Sequence, residues 1–129
     1  MILLDTHIVL WLAEAPELLS DQAVAAIQAA REQDGVAIAD KTLWELAMLI
    51  SRGRVGVRTS LREFLQEVER FCVILPLTAA IAERAVGLSK HYPKDPADRI
   101  IGATAMVHNM KLVTRDDAIR ASQEVDCLW

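Results

Sequence analysis

Hydrophobic residues fall into short runs without polar alternation, separated by longer stretches with helical spacing. Short unbroken apolar runs are typical of strands that are covered on both faces of a sheet. In the longer stretch 78–91, Ile81, Ala85 and Leu88 share one helical face. The pattern predicts strands at 1–4, 36–39, 72–77, 111–114 and 125–128, and helices at 6–14, 20–33, 42–52, 60–70, 78–91, 96–109 and 116–122.

This alternation of strands and helices predicts an α/β fold with a parallel sheet and helices on both sides. The length of 129 residues predicts one domain spanning 1–129. Hydrophobic residues make up 53% of the chain and the mean hydropathy is +0.23, which is high for a soluble monomer. A well-buried core would explain this excess, and so would an apolar surface covered by another chain.

The net charge and the cysteines indicate which functions and which cellular compartment to expect. The formal net charge of −4 gives no sign of non-specific nucleic-acid binding, which usually goes with a basic domain. Cys72 and Cys127 lie in apolar runs and have no metal-ligand spacing, so reduced, buried thiols in a cytoplasmic protein are expected. We expect no signal peptide and no membrane span, because no apolar run is long enough or suitably flanked.

Four acidic residues stand where a parallel sheet places its ligand site, beyond the carboxyl ends of the strands. Asp5 ends the first strand, and Asp116 follows the strand KLVT by two residues. Glu45 and Asp98 are predicted in the first turns of the helices that begin near 42 and 96. Taken singly, each acid fits a helix start better than a catalytic role, because acids at helix N-termini are stabilised by ~0.3–1 kcal/mol.

Two of these helix starts match known capping patterns. Thr42 and Glu45 fit a capping box, in which each side chain bonds the other residue's backbone amide. Asp95 fits an N-cap, followed by Pro96 at the first helical position. If all four acids converged, however, unit charges ~4 Å apart would repel by about 4 kcal/mol at a dielectric constant near 20. Cations such as Mg²⁺ or Mn²⁺ would relieve that repulsion.

Four motifs, in this order and spacing, resemble the PIN-domain ribonucleases, and most closely the VapC-type toxins of toxin–antitoxin pairs. They are MILLDTH, TLWELA, DPADRIIGATA and LVTRDDAI. The resemblance covers the whole chain. It implies a single PIN-like domain, a three-layer α/β/α sandwich with a mostly parallel sheet of about five strands. It also implies Mg²⁺- or Mn²⁺-dependent cleavage of RNA that leaves a 3′-hydroxyl and a 5′-phosphate.

The resemblance further assigns roles to the acids. Asp5 and Asp98 would be the primary metal ligands, and Glu45 would bind metal directly or through water and help to orient the nucleophile. Asp116 would complete a second metal site or hold its waters, with the neighbouring Asp117 as the alternative at that position. Thr6 and Thr114 would support the site by hydrogen bonds.

A protein partner is also implied. The resemblance predicts a cognate antitoxin whose C-terminal segment lies in an apolar groove and blocks the acidic site. The surplus apolar faces of 42–52 and 78–91 fit such a groove or a homodimer contact. No membrane partner is expected.

Two other classes of protein place acids at strand ends. A receiver-like signalling module binds Mg²⁺ but needs a paired acid after the first strand and an aspartate at the end of a middle strand, and the third strand here ends in LPLT. A phosphatase of the haloacid-dehalogenase type needs Asp-x-Asp after the first strand, where this chain has His7. Both alternatives therefore lack a specific residue.

The remaining polar and aromatic residues allow two interpretations each. His7 could contact a substrate phosphate, although a solvated side chain is the commoner case, and Arg99 could pair with a site carboxylate or touch RNA. The tryptophans are expected to be core anchors rather than platforms for base stacking. The segment 51–62 is expected to be a solvated loop, with an RNA-gripping arm as the alternative; its arginines are Arg52, Arg54, Arg58 and Arg62.

Overall fold

The structure is a computed structural model that describes residues 1–129. Five strands alternate with seven α-helices and one short 3₁₀ helix, Pro16–Leu18. The strands are β1 Ile2–Leu4, β2 Val36–Ala39, β3 Cys72–Leu75, β4 Leu112–Val113 and β5 Cys127–Leu128. The helices are α1 Thr6–Glu14, α2 Asp21–Glu32, α3 Asp40–Ser51, α4 Leu61–Phe71, α5 Ala79–Gly87, α6 Pro96–Val107 and α7 Asp117–Ser122.

The strands form one sheet in the order β3-β2-β1-β4-β5, and every neighbouring pair is parallel. β1 is central, with Leu3 opposite Ala37 of β2 on one side and Leu112 of β4 on the other. The chain runs outward from β1 to β3 and then returns to β4, so the strand order reverses beside β1. In open parallel sheets such a reversal opens a crevice at the carboxyl ends of the strands.

Both faces of the sheet are covered by helices. Leu3 and Leu4 point to opposite faces, as successive strand residues must, and both are fully buried. Leu4 belongs to a 15-residue core cluster that includes residues of α1, α2 and α4, whereas Leu3 belongs to a 10-residue cluster that includes residues of α6 and α7. The predicted α/β sandwich with a parallel five-stranded sheet is therefore confirmed.

Five boundaries differ from the predicted ones by two residues or more. β3 ends at Leu75 instead of residue 77, α5 ends at Gly87 instead of residue 91, and α6 ends at Val107 instead of residue 109. β5 begins at Cys127 instead of residue 125, and α3 begins at Asp40 instead of residue 42. The last difference changes the interpretation of the site. None of the helices has both the length and the apolar character needed to cross a membrane.

Candidate active site

Asp5 is fixed between the ends of β1 and β4. Its side chain is buried, and one carboxylate oxygen accepts a hydrogen bond from the Thr6 backbone amide (2.8 Å). The other oxygen accepts from the Thr114 hydroxyl (2.7 Å), 109 residues away in the chain. Asp5 is therefore the N-cap of α1 and also a fixed carboxylate at the crevice, and Thr114 makes the supporting bond expected of it.

Glu45 reaches the same region from α3, but the predicted capping box is wrong. α3 begins after Ala39, which makes no side-chain cap, so Thr42 lies inside the first turn and Glu45 in the second. The Thr6 hydroxyl donates to Glu45 Oε1 and lies 3.2 Å from the Thr42 hydroxyl. Because the Thr6 proton goes to Glu45, the buried Thr42 hydroxyl is the donor to Thr6. This chain of hydroxyls orients the Glu45 carboxylate.

Helix α6 begins as the sequence predicts. Asp95 is the N-cap, and its Oδ1 accepts from the backbone amides of Ala97 (2.8 Å) and Asp98 (3.2 Å). Pro96 occupies the first helical position, where no amide donor is needed. The first-turn amides of α6 are bonded to Asp95 and do not bond the Asp98 carboxylate. That carboxylate has no hydrogen-bond donor from the protein.

Asp116 and Asp117 have different environments. Asp116 is the N-cap of α7: its Oδ1 accepts from the Ile119 amide (3.0 Å), and its own amide donates to the Thr114 hydroxyl (3.0 Å). The Asp117 side chain is 96% exposed and pairs with Arg120 at 3.4 Å. Thr114 thus connects Asp5 to Asp116, which favours Asp116 as the fourth site residue.

The electrostatics link Asp98 to the other three acids. The pKa of Asp98 is raised to about 7, chiefly by burial and then by the charges of Asp5, Asp95, Glu45 and Asp116, in that order of importance. Burial also raises the pKa of Glu45, and the Thr6 hydrogen bond opposes that rise. Acids from four separate parts of the chain therefore act on a common region.

The donor set fits a hydrated divalent cation better than a fully enclosed one. No group of three His, Cys, Asp or Glu side chains lies close enough together to hold a metal ion by protein ligands alone. Mg²⁺ commonly keeps several waters and binds through one or two carboxylates plus substrate phosphate. The carboxylates here raise the pKa values of Asp98 and Glu45, so a cation that keeps part of its water shell would be attracted to them.

His7 and Arg99, the two basic residues considered near the site, both have structural roles. His7 is not simply solvated: its Nε2 accepts from the Arg115 amide (3.1 Å) and its ring packs edge-on against Trp11. Burial lowers the pKa of His7, with the Asp5 charge opposing. Arg99 does not pair with a site carboxylate, because its guanidinium donates to the backbone carbonyls of Ala85, Leu88 and Ser89 at the end of α5.

Tyr92 is a residue of this region that sequence reasoning missed. Its side chain is almost fully buried, and its hydroxyl donates to the Asp98 carbonyl (3.1 Å). Burial and the charges of Asp5 and Asp98 raise its pKa, so the hydroxyl remains protonated. A Cβ at Gly102 would lie 2.1 Å from this hydroxyl, so the glycine makes room for it. The only signal in the sequence was a tyrosine six residues before Asp98.

The chain is similar in sequence to known proteins. The PIN domain family matches residues 2–124, a range that includes all four acids. Ribonuclease VapC22 of Mycobacterium tuberculosis is 36% identical over 120 residues, which are 93% of this chain and 90% of that protein.

Solved structures show the same fold. A toxin–antitoxin complex from Klebsiella pneumoniae contains a chain of TM-score 0.69 and 26% identity, matched over 96% of this chain and 93% of that one. VapBC2 from Rickettsia felis, bound to a DNA fragment from its promoter, contains a chain of TM-score 0.76 and 18% identity, matched over 98% of this chain and 97% of that one. With its parallel sheet, its four acids and these matches, the chain belongs to the PIN-domain family, as a relative of the VapC ribonucleases.

Proposed function

We propose that this chain is the endoribonuclease toxin of a VapC-type toxin–antitoxin pair, and that it hydrolyses RNA phosphodiester bonds at Asp5, Glu45, Asp98 and Asp116. Its family and its 36% identity to a ribonuclease support a nuclease. The observation that carries the site is the shared electrostatic environment, in which three other site acids raise the pKa of Asp98. The same matches do not favour a receiver-like module or a dehalogenase-type phosphatase.

The site is suited to Mg²⁺ or Mn²⁺, with Asp5 and Asp98 as the main ligands and Glu45 and Asp116 as direct or water-mediated ones. When bound, such an ion activates water and neutralises the charge that develops on the phosphate. Hard cations prefer oxygen donors, and the site offers carboxylates and hydroxyls but no thiolate.

The protein's own groups then hold the reacting parts in place. Thr114 and the Thr6 amide hold both oxygens of Asp5, and the Thr6 hydroxyl holds Oε1 of Glu45. The second Glu45 oxygen is free to orient an attacking water. A carboxyl group whose pKa is raised toward neutral pH is also a better proton acceptor than an ordinary one.

The partner is an antitoxin, since the similar structures include toxin–antitoxin complexes. An apolar groove of about 220 Å³ between α1 and α4 is available to an apolar peptide segment. Seven of its eight lining residues are hydrophobic. A homodimer and a cytoplasmic location remain part of the proposal, and the free thiols of Cys72 and Cys127 are consistent with a reducing compartment.

The test is RNA cleavage by the purified protein. We expect cleavage with Mg²⁺ or Mn²⁺, none with EDTA, and a loss of at least roughly 100-fold in Asp5→Asn, because metal binding is worth several kcal/mol to the transition state. Asp117→Asn is the matched control, since that carboxylate is exposed and outside the site. Equal cleavage by Asp5→Asn and wild type, or cleavage in EDTA, would contradict the proposal.

A further inference from the structure

An exposed tryptophan stands on the helix that carries Glu45. Trp44 is 54% exposed, whereas Trp11 and Trp129 pack against each other with ring centroids 5.9 Å apart. The prediction that all three tryptophans are core anchors is therefore wrong for Trp44. Tryptophan is highly buried on average, so an open indole beside a crevice needs an explanation.

Lys41 connects this indole to the acidic site. Its ammonium lies 4.0 Å from the centroid of the Trp44 ring, and its charge lowers the pKa of Glu45, opposing the larger effect of burial. With 3.6 residues per turn, Lys41 lies one turn before Glu45 and nearly one turn before Trp44. The three side chains therefore lie side by side, with Glu45 nearest the crevice and Trp44 farthest out.

The Lys41 ammonium is available for an anion. No carboxylate lies within ion-pair distance of it. The guanidinium of Arg99, in contrast, is bonded to three backbone carbonyls. A cation held on an aromatic face beside Glu45 suits a ligand that carries both a phosphate and a ring.

We propose that Lys41 and Trp44 form a binding site for one unpaired nucleotide of the RNA substrate, adjacent to the bond that is cleaved. Trp44 stacks on the base and Lys41 binds the neighbouring phosphate, a combination common in the recognition of single-stranded nucleic acid. This inference rests on the proposed nuclease function and names the two side chains that would hold one unpaired nucleotide. A base inside a duplex cannot offer its face to the indole.

The first test measures binding without cleavage. In an Asp98→Asn background, a fluorescently labelled single-stranded RNA is titrated with protein carrying Trp44→Ala, Trp44→Phe, Lys41→Ala or Val86→Ala. We expect Trp44→Ala to weaken binding roughly 5- to 100-fold, because stacking contributes about that much per base. Trp44→Phe should retain most of the affinity. Val86→Ala is the matched control, since Val86 is an 83%-exposed apolar residue on α5.

The second test locates the base. Abasic nucleotides are placed one at a time along a cleavable RNA, and kcat and KM are measured for wild type and Trp44→Ala. At one position near the cleaved bond the abasic substitution should raise KM for wild type and have no further effect on Trp44→Ala. Effects that add independently at every position would overturn the proposal.

Other outcomes separate this inference from the proposed function. If Asp98→Asn abolishes cleavage but Trp44→Ala binds RNA like wild type, the nucleotide site is wrong and the nuclease assignment stands. If Asp98→Asn cleaves at the wild-type rate, the role given to Asp98 is wrong. If wild-type protein cleaves no RNA with Mg²⁺ or Mn²⁺, the nuclease assignment itself is wrong. If light scattering shows that Trp44→Ala changes the oligomeric state, Trp44 is a protein contact and the proposal is overturned.

Discussion

Helices α3 and α6 each bring one acid to the crevice, but their first turns are built differently. α6 has a complete side-chain cap from Asp95, and Asp98 follows three residues later with no hydrogen bond to its carboxylate. α3 has no side-chain cap, and its acid, Glu45, stands in the second turn and accepts from the Thr6 hydroxyl.

The difference appears in the two acids' protonation. Asp98 has only burial and like charges acting on it, so its pKa rises to about 7. The pKa of Glu45 is also raised, but the hydrogen bond from Thr6 favours its charged form. A helix start that satisfies its own amides therefore leaves its acid without a donor from the protein, whereas Glu45 is partly stabilised by the Thr6 hydroxyl.

The largest expected effect is a difference in RNA-cleavage rate between variants of Asp98 and of Asp95, the residue that caps its helix. We expect Asp98→Asn to lower the rate of RNA cleavage by at least roughly 100-fold, because it removes a charge that the site would use to hold the cation. Asp95→Asn should retain most activity, since asparagine is an equally good N-cap. Single-turnover cleavage of labelled RNA measures both. Equal losses in the two variants would mean that Asp98 acts only through the helix.

A second expected effect concerns stability against pH. The pKa of Asp98 is about 7 in the folded protein and 3.8 ordinarily. Below about pH 3 the carboxyl is largely protonated in both states; as the pH rises toward 7, the unfolded chain loses its proton first, so the free energy of unfolding falls. Asp98→Asn should therefore melt a few degrees above wild type at pH 8, and the difference should vanish toward about pH 3.

Thermal melting followed by circular dichroism checks this difference. Asp117→Asn should match wild type at both pH values, because that side chain is almost fully exposed. Added Mg²⁺ should raise the melting temperature of wild type at pH 8 more than that of Asp98→Asn, since a bound cation relieves the repulsion in the folded state only. A pH-independent difference between Asp98→Asn and wild type would contradict the assigned protonation.

The same two helices show how far the sequence leads. Asp95, Pro96 and Asp98 are close in the chain, so local capping rules predicted their geometry correctly. The Thr42–Glu45 pair satisfied the same local rules, but the outcome was decided by Thr6, 36 and 39 residues away. Strand order was decisive too, because the pairing of β1 with β4 brings Thr114 against Asp5.

The environments of three single residues were not evident from the sequence, for one shared reason. His7, Arg99 and Trp44 were interpreted from residue type alone, but the environment of each depends on whether a distant part of the chain lies against it. His7 bonds the amide of Arg115, 108 residues away, and Arg99 bonds the end of another helix. Periodicity located the helices and strands, but it carries no information about which helix ends lie opposite each other.

A smaller effect tests the cap of α6. Asp95→Ala removes the acceptor of two amides, and we expect the free energy of unfolding to fall by about 1 kcal/mol, within the usual range for a lost N-cap. Denaturant unfolding measures it, with Asp95→Asn as the control that keeps the acceptor. A neutral Asp95→Ala would mean that Pro96 and the packing of Ala97 suffice to begin the helix.

The smallest expected effect tests the interpretation of Thr42. Replacement by valine keeps the shape and removes one hydroxyl, which donates to Thr6. Since Thr6 still donates to Glu45, no buried group loses its only partner, and we expect a loss of roughly 0.5–1.5 kcal/mol in the free energy of unfolding.

Thr42→Ser, which keeps the hydroxyl, is the control for cleavage. If Thr42 acts by orienting Glu45 through Thr6, Thr42→Val should lower kcat several-fold with KM unchanged, and Thr42→Ser should not. If Thr42 only stabilises the fold, Thr42→Val should show the stability loss with full kcat, because the Glu45 carboxylate would keep its orientation.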